Sequence, residues 1–160
     1  MSISEALKKS SQKEYGEHYQ SHVLEMYKLY VDMADRISSR RQTANSFFLS
    51  INSAIIGFAG FVKISEPKNF NWILPIAGIL LCYTWYRLVR SYRDLNTGKL
   101  QIIHEIEKEL PIAPYDAEWE AVGRGTNPKL YLPFTKTELI VPWIFAAIHL
   151  ISVIILSPWC

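Results

Sequence analysis

Charge is missing from three stretches of this 160-residue sequence. No Asp, Glu, Lys or Arg falls between Ala44 and Val62 or between Leu139 and Leu156, and between Trp72 and Val89 there is only Arg87. Apolar runs of about 18 residues are long enough to cross a bilayer as helices. They take up more than a third of the chain, which leaves little apolar sequence for a large water-soluble core. Cysteine is scarce too. Cys82 and Cys160 fall near opposite ends of different spans, so no intrachain disulfide is expected, and Cys82 reads as an apolar packing residue. No cysteine and histidine spacing resembles a metal site, and no cofactor is implied. The polar, charged stretch from Met1 to Tyr30 lacks the short apolar region of a cleaved leader, so insertion is expected to rely on the spans themselves.

Signs of catalysis are equally thin. No nucleophile has a matching base, and Glu105, Glu107 and Glu109 alternate along a helical pattern as a solvated face would. Gly123-Arg124-Gly125 lacks the Lys-Ser/Thr pair of a phosphate loop and reads as a turn. The expectation is therefore a protein that is not an enzyme. The formal charge of +2 is too small to suggest nucleic-acid binding, so the position of the basic residues matters more than their sum.

What is present is a helical membrane pattern. After a polar lead to Lys13, Tyr19, Val23, Met26, Tyr30, Met33 and Ile37 recur at steps of four and three, the seam of a packing helix. Neither Pro nor Gly interrupts Tyr19 to Ile56, so this helix should continue into the first span. The stretch 65–71 is a short turn. The second span follows with Pro75 tolerated in its first turn and with Tyr83, Trp85 and Tyr86 as an interfacial aromatic band. A helical pattern through Tyr92, Leu95, Ile102, Ile103, Ile106 and Leu110 comes next, which Asn96-Thr97-Gly98 can kink or divide. Asp116 is placed to cap a short helix reaching Ala121. Trp143 and Trp159 mark the two interfaces of the third span.

The fold class expected is an all-α integral membrane protein, homo-oligomeric, with three transmembrane helices and cytosolic amphipathic helices. Its parts are a cytosolic N-terminal helix at 1–43, a transmembrane hairpin at 44–90 (spans about 44–62 and 72–89), cytosolic helix and loop at 91–137, and a third transmembrane helix at 138–160. Arg36, Arg40 and Arg41 precede the first span, Arg87, Arg90, Arg93 and Lys99 close or follow the second, and Lys129 and Lys136 precede the third. Only Lys63 and Lys68 lie on the other side. By the positive-inside rule the N-terminus and middle loop are cytosolic and the C-terminus periplasmic, in a bacterial inner membrane.

The first span has one unusual side. At about 100° per residue, Ser46, Ser50, Ser53, Gly57 and Gly60 form a narrow stripe, with Asn45, Asn52 and Ala59 beside it and Phe47, Phe48, Ile51, Ile55, Phe58 and Val62 opposite. The bulky side should meet lipid and the small polar side protein or water. The stripe serves either close helix packing or, repeated around an axis, the lining of a pore. His149, in the middle of the third span, is either a neutral imidazole bonded to Asn52 or Ser53 or a proton relay, and a relay would need an acid that no span interior supplies. Arg36, Arg40, Arg41, Arg87, Arg90 and Arg93 serve as anchors for lipid phosphates or, with Lys99 and also Arg124 and Lys129, as a site for an anionic nucleotide or oligonucleotide.

The entry to the first span, Arg40-Arg41-Gln42-Thr43-Ala44-Asn45-Ser46-Phe47-Phe48-Leu49, resembles the RipA family of small octameric bacterial membrane proteins. The pattern is Arg-Arg-x-x-x-Asn-x-Phe-Phe-Leu, within a similar stretch from Tyr27 that covers about a quarter of the chain. More loosely the chain looks like small transmembrane effectors of the SLATT type that accompany nucleotide-signal enzymes in anti-phage systems. The resemblance implies an inner-membrane homo-oligomer, octameric or tetrameric, and for the effector relatives a pore that opens on a signal. Two functions stay open: a gated ion-conducting effector under a cytosolic ligand, or a non-conducting scaffold that recruits a cytosolic signalling partner or supports envelope homeostasis and virulence.

Overall fold

The structure, a computed structural model, describes residues 2–65, 72–131 and 134–156. Of the turn expected at 65–71, Ser65 is the last residue of α3 and 66–71 lie outside the described residues, as do Pro133, Trp159 and Cys160. All regular structure among the described residues is helical: α1 (Ile3–Leu7), α2 (Gln12–Tyr15), α3 (Tyr19–Ser65), α4 (Ile73–Glu107), α5 (Pro114–Ala121), a 3-10 turn at Gly123–Gly125, and α6 (Phe134–Leu156). Parts of α3, α4 and α6 are long and apolar enough to cross a membrane: Tyr19–Phe61, Ile73–Glu107 and Thr137–Leu156.

Local signals explain most of the helix ends. Ser2 with Glu5, and Ser11 with Glu14, each form a capping box, so the lead expected to be loose holds two short helices. Hydrogen bonds from the Ser11 backbone and hydroxyl hold the Glu14 carboxyl below its ordinary pKa. Gly16, at φ +90°, ends α2 in a conformation that other residues rarely adopt. From Tyr19 no breaker intervenes, and α3 continues for 47 residues, roughly 70 Å at 1.5 Å per residue. The kink or break expected at Asn96-Thr97-Gly98 is absent. Here α4 runs on, with the Thr97 hydroxyl donating to the Arg93 carbonyl of the preceding turn, an in-helix bond that leaves the turn intact.

The chain divides into two compact units, Met1–Ser39 with Arg93–Pro133, and Arg40–Tyr92 with Phe134–Cys160. Both boundaries on the long helices fall inside α3 and α4.

In the first unit Ala34 and Ile37 of α3 and Ile103 and Ile106 of α4 are buried. Tyr19, Val23, Tyr27 and Tyr30 are half-buried on the same stripe. The expected seam is thus corrected: Met26 and Met33 are exposed, and Tyr27 and Ala34 take their places. The same spacing fits both stripes, and the structure selects the one that lets Tyr27 reach Glu107. Leu95, also expected inside, is exposed.

Glu107 overturns a second expectation. It is 2 % exposed, not solvated. Its carboxylate accepts from the backbone N–H of Tyr115 (2.8 Å) and of Asp116 (3.0 Å), and from the Tyr27 hydroxyl (3.0 Å). The last residue of α4 therefore caps α5, whose own N-cap position is Ala113 and whose first helical residue is Pro114. Asp116 lies in the first turn and is not the cap. A buried carboxylate is tolerated because three donors replace its water shell.

Burial first, and the adjacent Glu107 second, push the Tyr27 phenol up to about 12. The folded unit thus favours the protonated phenol. That contribution is complete below the ordinary phenol pKa, about 10, and is lost as pH rises from there through about 12. Alkaline unfolding followed by circular dichroism should show this loss, and Tyr27→Phe should remove it at a neutral-pH cost of about 1 kcal/mol. Glu107→Ala should cost about 2–3 kcal/mol, because two helix-end amides lose their acceptor.

Candidate functional site

The second unit packs the membrane part of α3 against α4 and α6. Phe48, Trp85 and Val89 are buried together, and Phe145 of α6 packs on them. The Phe48 and Trp85 rings stack at 5.9 Å, and Trp85 lies 6.0 Å from Phe145. Trp85 is consequently a core residue rather than part of an interfacial band, while Tyr83 is exposed and Tyr86 meets the exposed Trp143. The Trp85 indole N–H donates to Asn45 Oδ1 at 2.7 Å, which binds the polar tip of a buried tryptophan.

One helical turn further along α3, polar side chains from three helices meet. Asn52 is fully buried, His149 of α6 is 1 % exposed, and Cys82 of α4 is 2 % exposed. Asn52 Nδ2 donates to the Phe48 carbonyl at 2.8 Å, which turns Oδ1 towards the other two. Cys82 Sγ donates to that oxygen at 3.3 Å, and His149 Nε2 lies 2.9 Å from it. Because Oδ1 can only accept, Nε2 carries a proton. Of the two partners expected for His149, Asn52 is the one it meets. Cys82 is buried as expected and is also a hydrogen-bond donor. Gly78 completes the cradle, since a Cβ there would overlap the imidazole ring.

The small polar stripe lies elsewhere. Ser46, Ser50, Ser53, Gly57 and Gly60 are all exposed within the protomer. A Cβ on Gly57 or Gly60 would meet nothing within 4 Å. The inward stripe is instead Asn45, Phe48, Asn52 and Ala59, about 130° round the helix at about 100° per residue, so Asn45, Asn52 and Ala59 do not adjoin the small stripe as expected. Asn45 and Asn52 thus belong to packing inside the protomer. The division into a lipid side and a protein side is also corrected. Phe47 and Phe58 are exposed, but Phe48 is buried and Ile51 and Ile55 are half-buried, because α4 and α6 need a face of α3 as well. The Ser50 hydroxyl donates to the Ser46 carbonyl at 2.8 Å, so it is satisfied within the helix.

Most of the basic candidates already have partners. In the first unit Arg36 pairs with Asp32 at 2.9 Å, Arg93 with Asp94 at 2.8 Å, and the Lys99 ammonium lies 5.0 Å from the centre of the Tyr30 ring. Arg124 is held by Glu120 and Asp116, which raise its pKa, in that order. In the second unit Arg41 pairs with Glu138 at 3.4 Å, Arg87 reaches the Tyr83 hydroxyl at 3.4 Å, and Arg40 and Arg90 are exposed. Surface pairs such as Arg36 with Asp32 are worth little and could exchange for phosphate. The Arg41–Glu138 pair, with both side chains a quarter exposed or less, is screened less. Among the described residues no cluster of His, Cys, Asp and Glu could hold a metal ion.

Two groups escaped the sequence reading. Gly78 carried no visible signal, because its role is defined by a ring one helix away. Glu138 sat just before the third span and went unremarked, although its charge next to an apolar run was a visible sign. A double-mutant cycle checks the cradle. Gly78→Ala should cost about 1–3 kcal/mol by overpacking, measured by unfolding in detergent, and most of that cost should vanish in a His149→Ala background.

No curated protein and no solved structure shows a match to this chain. A family model does match, across residues 24–158, which takes in all but the first five residues of the three stretches able to cross a membrane, together with the buried meeting point of Asn52, Cys82 and His149. The chain belongs to the octameric membrane protein family (8xMP) and is a homo-oligomeric membrane protein.

Proposed function

We propose that eight copies of this chain assemble in a bacterial inner membrane, N-terminus on the cytosolic side, and that the Ser46, Ser50, Ser53, Gly57 and Gly60 stripe of α3 faces the ring's interior and lines a gated path for ions. Its task would be to depolarise a cell under attack, as a non-enzymatic membrane effector in anti-phage defence. The observation that carries this reading is the free position of the stripe. Among the described residues of the membrane unit, the polar contacts between helices use Asn45, Asn52, Cys82, Trp85 and His149, with Arg41 and Glu138, and the stripe takes part in none of these. Gly57 and Gly60 have no packing reason inside the protomer, so their reason lies outside it. Small residues let neighbouring helices come close, and serines with glycines leave room for water. Control by an anionic nucleotide finds less support, because Arg36, Arg41, Arg93 and Lys99 already face partners in their own units.

Two substitutions separate the possible roles of the stripe. Gly57→Ala meets no clash in the protomer and should leave its stability unchanged or raise it by up to about 1 kcal/mol. A fall in octamer content on size-exclusion chromatography would then place the stripe in the subunit contact. Ser53→Leu should block conduction: with a voltage-sensitive dye, cells expressing the parent chain depolarise, and cells expressing the variant at equal assembly do not. Loss of assembly in Ser53→Leu would assign the stripe to packing alone. An intact membrane potential with the parent chain under every stimulus would favour the non-conducting scaffold.

A further inference from the structure

In the first unit one face of α4, carrying Thr97, Leu100, Gln101 and His104, stands across from one face of α5, carrying Tyr115, Glu118 and Trp119. Both sets follow the three-and-four spacing of a single helix side. With Val122 and Tyr131 they enclose a pocket of about 490 Å³. That is the size of an ordinary small-molecule site. The Glu107 carboxylate holds the amides of Tyr115 and Asp116, which fixes the start of α5.

Beyond α5 the chain turns sharply behind the lining residues. Gly123, Arg124 and Gly125 all have positive φ, at 65°, 50° and 68°. A Cβ on Gly125 would come within 3.0 Å of the Trp119 ring, so glycine at this point leaves the indole its place. The chain then turns at Asn127, whose carbonyl accepts from the N–H groups of Leu130 and Tyr131. This sets the Tyr131 ring edge-on to Trp119, centres 6.2 Å apart. The bare Gly125 thus leaves room for an aromatic pair, Trp119 and Tyr131, that lines the pocket.

The lining indicates what would bind. Three of the nine lining residues are aromatic, Tyr115, Trp119 and Tyr131. Glu118 brings a carboxylate, and neither Lys nor Arg is among the nine. On the same helix Asp116 and Glu120 add acid, and Arg124 is tied to both of them. Aromatic faces attract cations, tryptophan most strongly, and a carboxylate at the rim selects the same sign. We infer that this pocket binds a small organic ammonium ion free in solution. Nucleotides and other anions are disfavoured here by the same charges.

The inference does not depend on conduction. Choline serves as the probe, titrated by calorimetry into the purified full-length chain in a maltoside detergent, so that no choline headgroup competes. Its uncharged carbon isostere, 3,3-dimethylbutan-1-ol, is the control. Choline should bind, and the isostere about tenfold more weakly or less, since the two differ in charge and hardly in shape. Trp119→Leu should abolish binding. In case that variant loosens the unit, Glu118→Lys tests the same point from an exposed position, and it should abolish binding while leaving the circular dichroism spectrum unchanged. Equal binding of the isostere, undiminished choline binding in Glu118→Lys, or no heat from choline at millimolar concentrations would each overturn the assignment.

Discussion

Three helices of the membrane unit meet at one oxygen atom. Asn52 Oδ1 takes a proton donor from α4 and another from α6, and α3 itself supplies the acceptor. Between helices in lipid there is no hydrophobic drive, since acyl chains are as apolar as leucine, so packing and a few polar bonds decide register. Slide any of the three helices by one residue and a buried polar group loses its partner. The cluster of Phe48, Trp85 and Phe145 fills the space beside this point but is tolerant of small shifts, as apolar contacts are. Polar bonds of this kind are modest in energy and exacting in geometry, and they act here mainly on register.

The first unit reaches the same end with a different group. There the fixed point is the Glu107 carboxylate, and the donors are a phenol and two amides at a helix start. Both arrangements centre on an acceptor that several elements share. They differ in charge: the first unit buries a carboxylate that three donors surround, whereas the meeting point in the membrane unit is an amide oxygen.

How far the sequence could be read follows from the range of each signal. Spans, the continuity of α3 and a partner for His149 at Asn52 or Ser53 were legible, because length, absence of breakers and the scarcity of polar groups in lipid are local or near-local constraints, and the structure selects Asn52. Assignments that needed a choice between faces went astray. The small stripe was recognised on the wheel, but with two faces in mind, lipid and partner, no room was left for the protomer's own α4 and α6. Phe48 is therefore expected on the lipid side, and Trp85 of α4 in an interfacial band by its residue type, whereas the structure buries both. Met26 and Met33 were preferred to Tyr27 and Ala34 because both sets satisfy the same spacing, and only the position of Glu107 separates them. Asp116 had the right residue type for a cap, yet the cap came from the preceding helix. The capping boxes at Ser2 and Ser11 were readable and passed over.

The exposed serines of α3 also bear on how such a protein is made. Ser50 satisfies its hydroxyl on the carbonyl of the turn before, and glycine exposes little that lipid would reject. A lone protomer can therefore reside in the bilayer at small cost before it meets its neighbours. Insertion and ring formation become separate events, and the second depends on how crowded the membrane is with copies. Mass action then sets a threshold: sparse protomers stay dispersed, and oligomers accumulate as density rises.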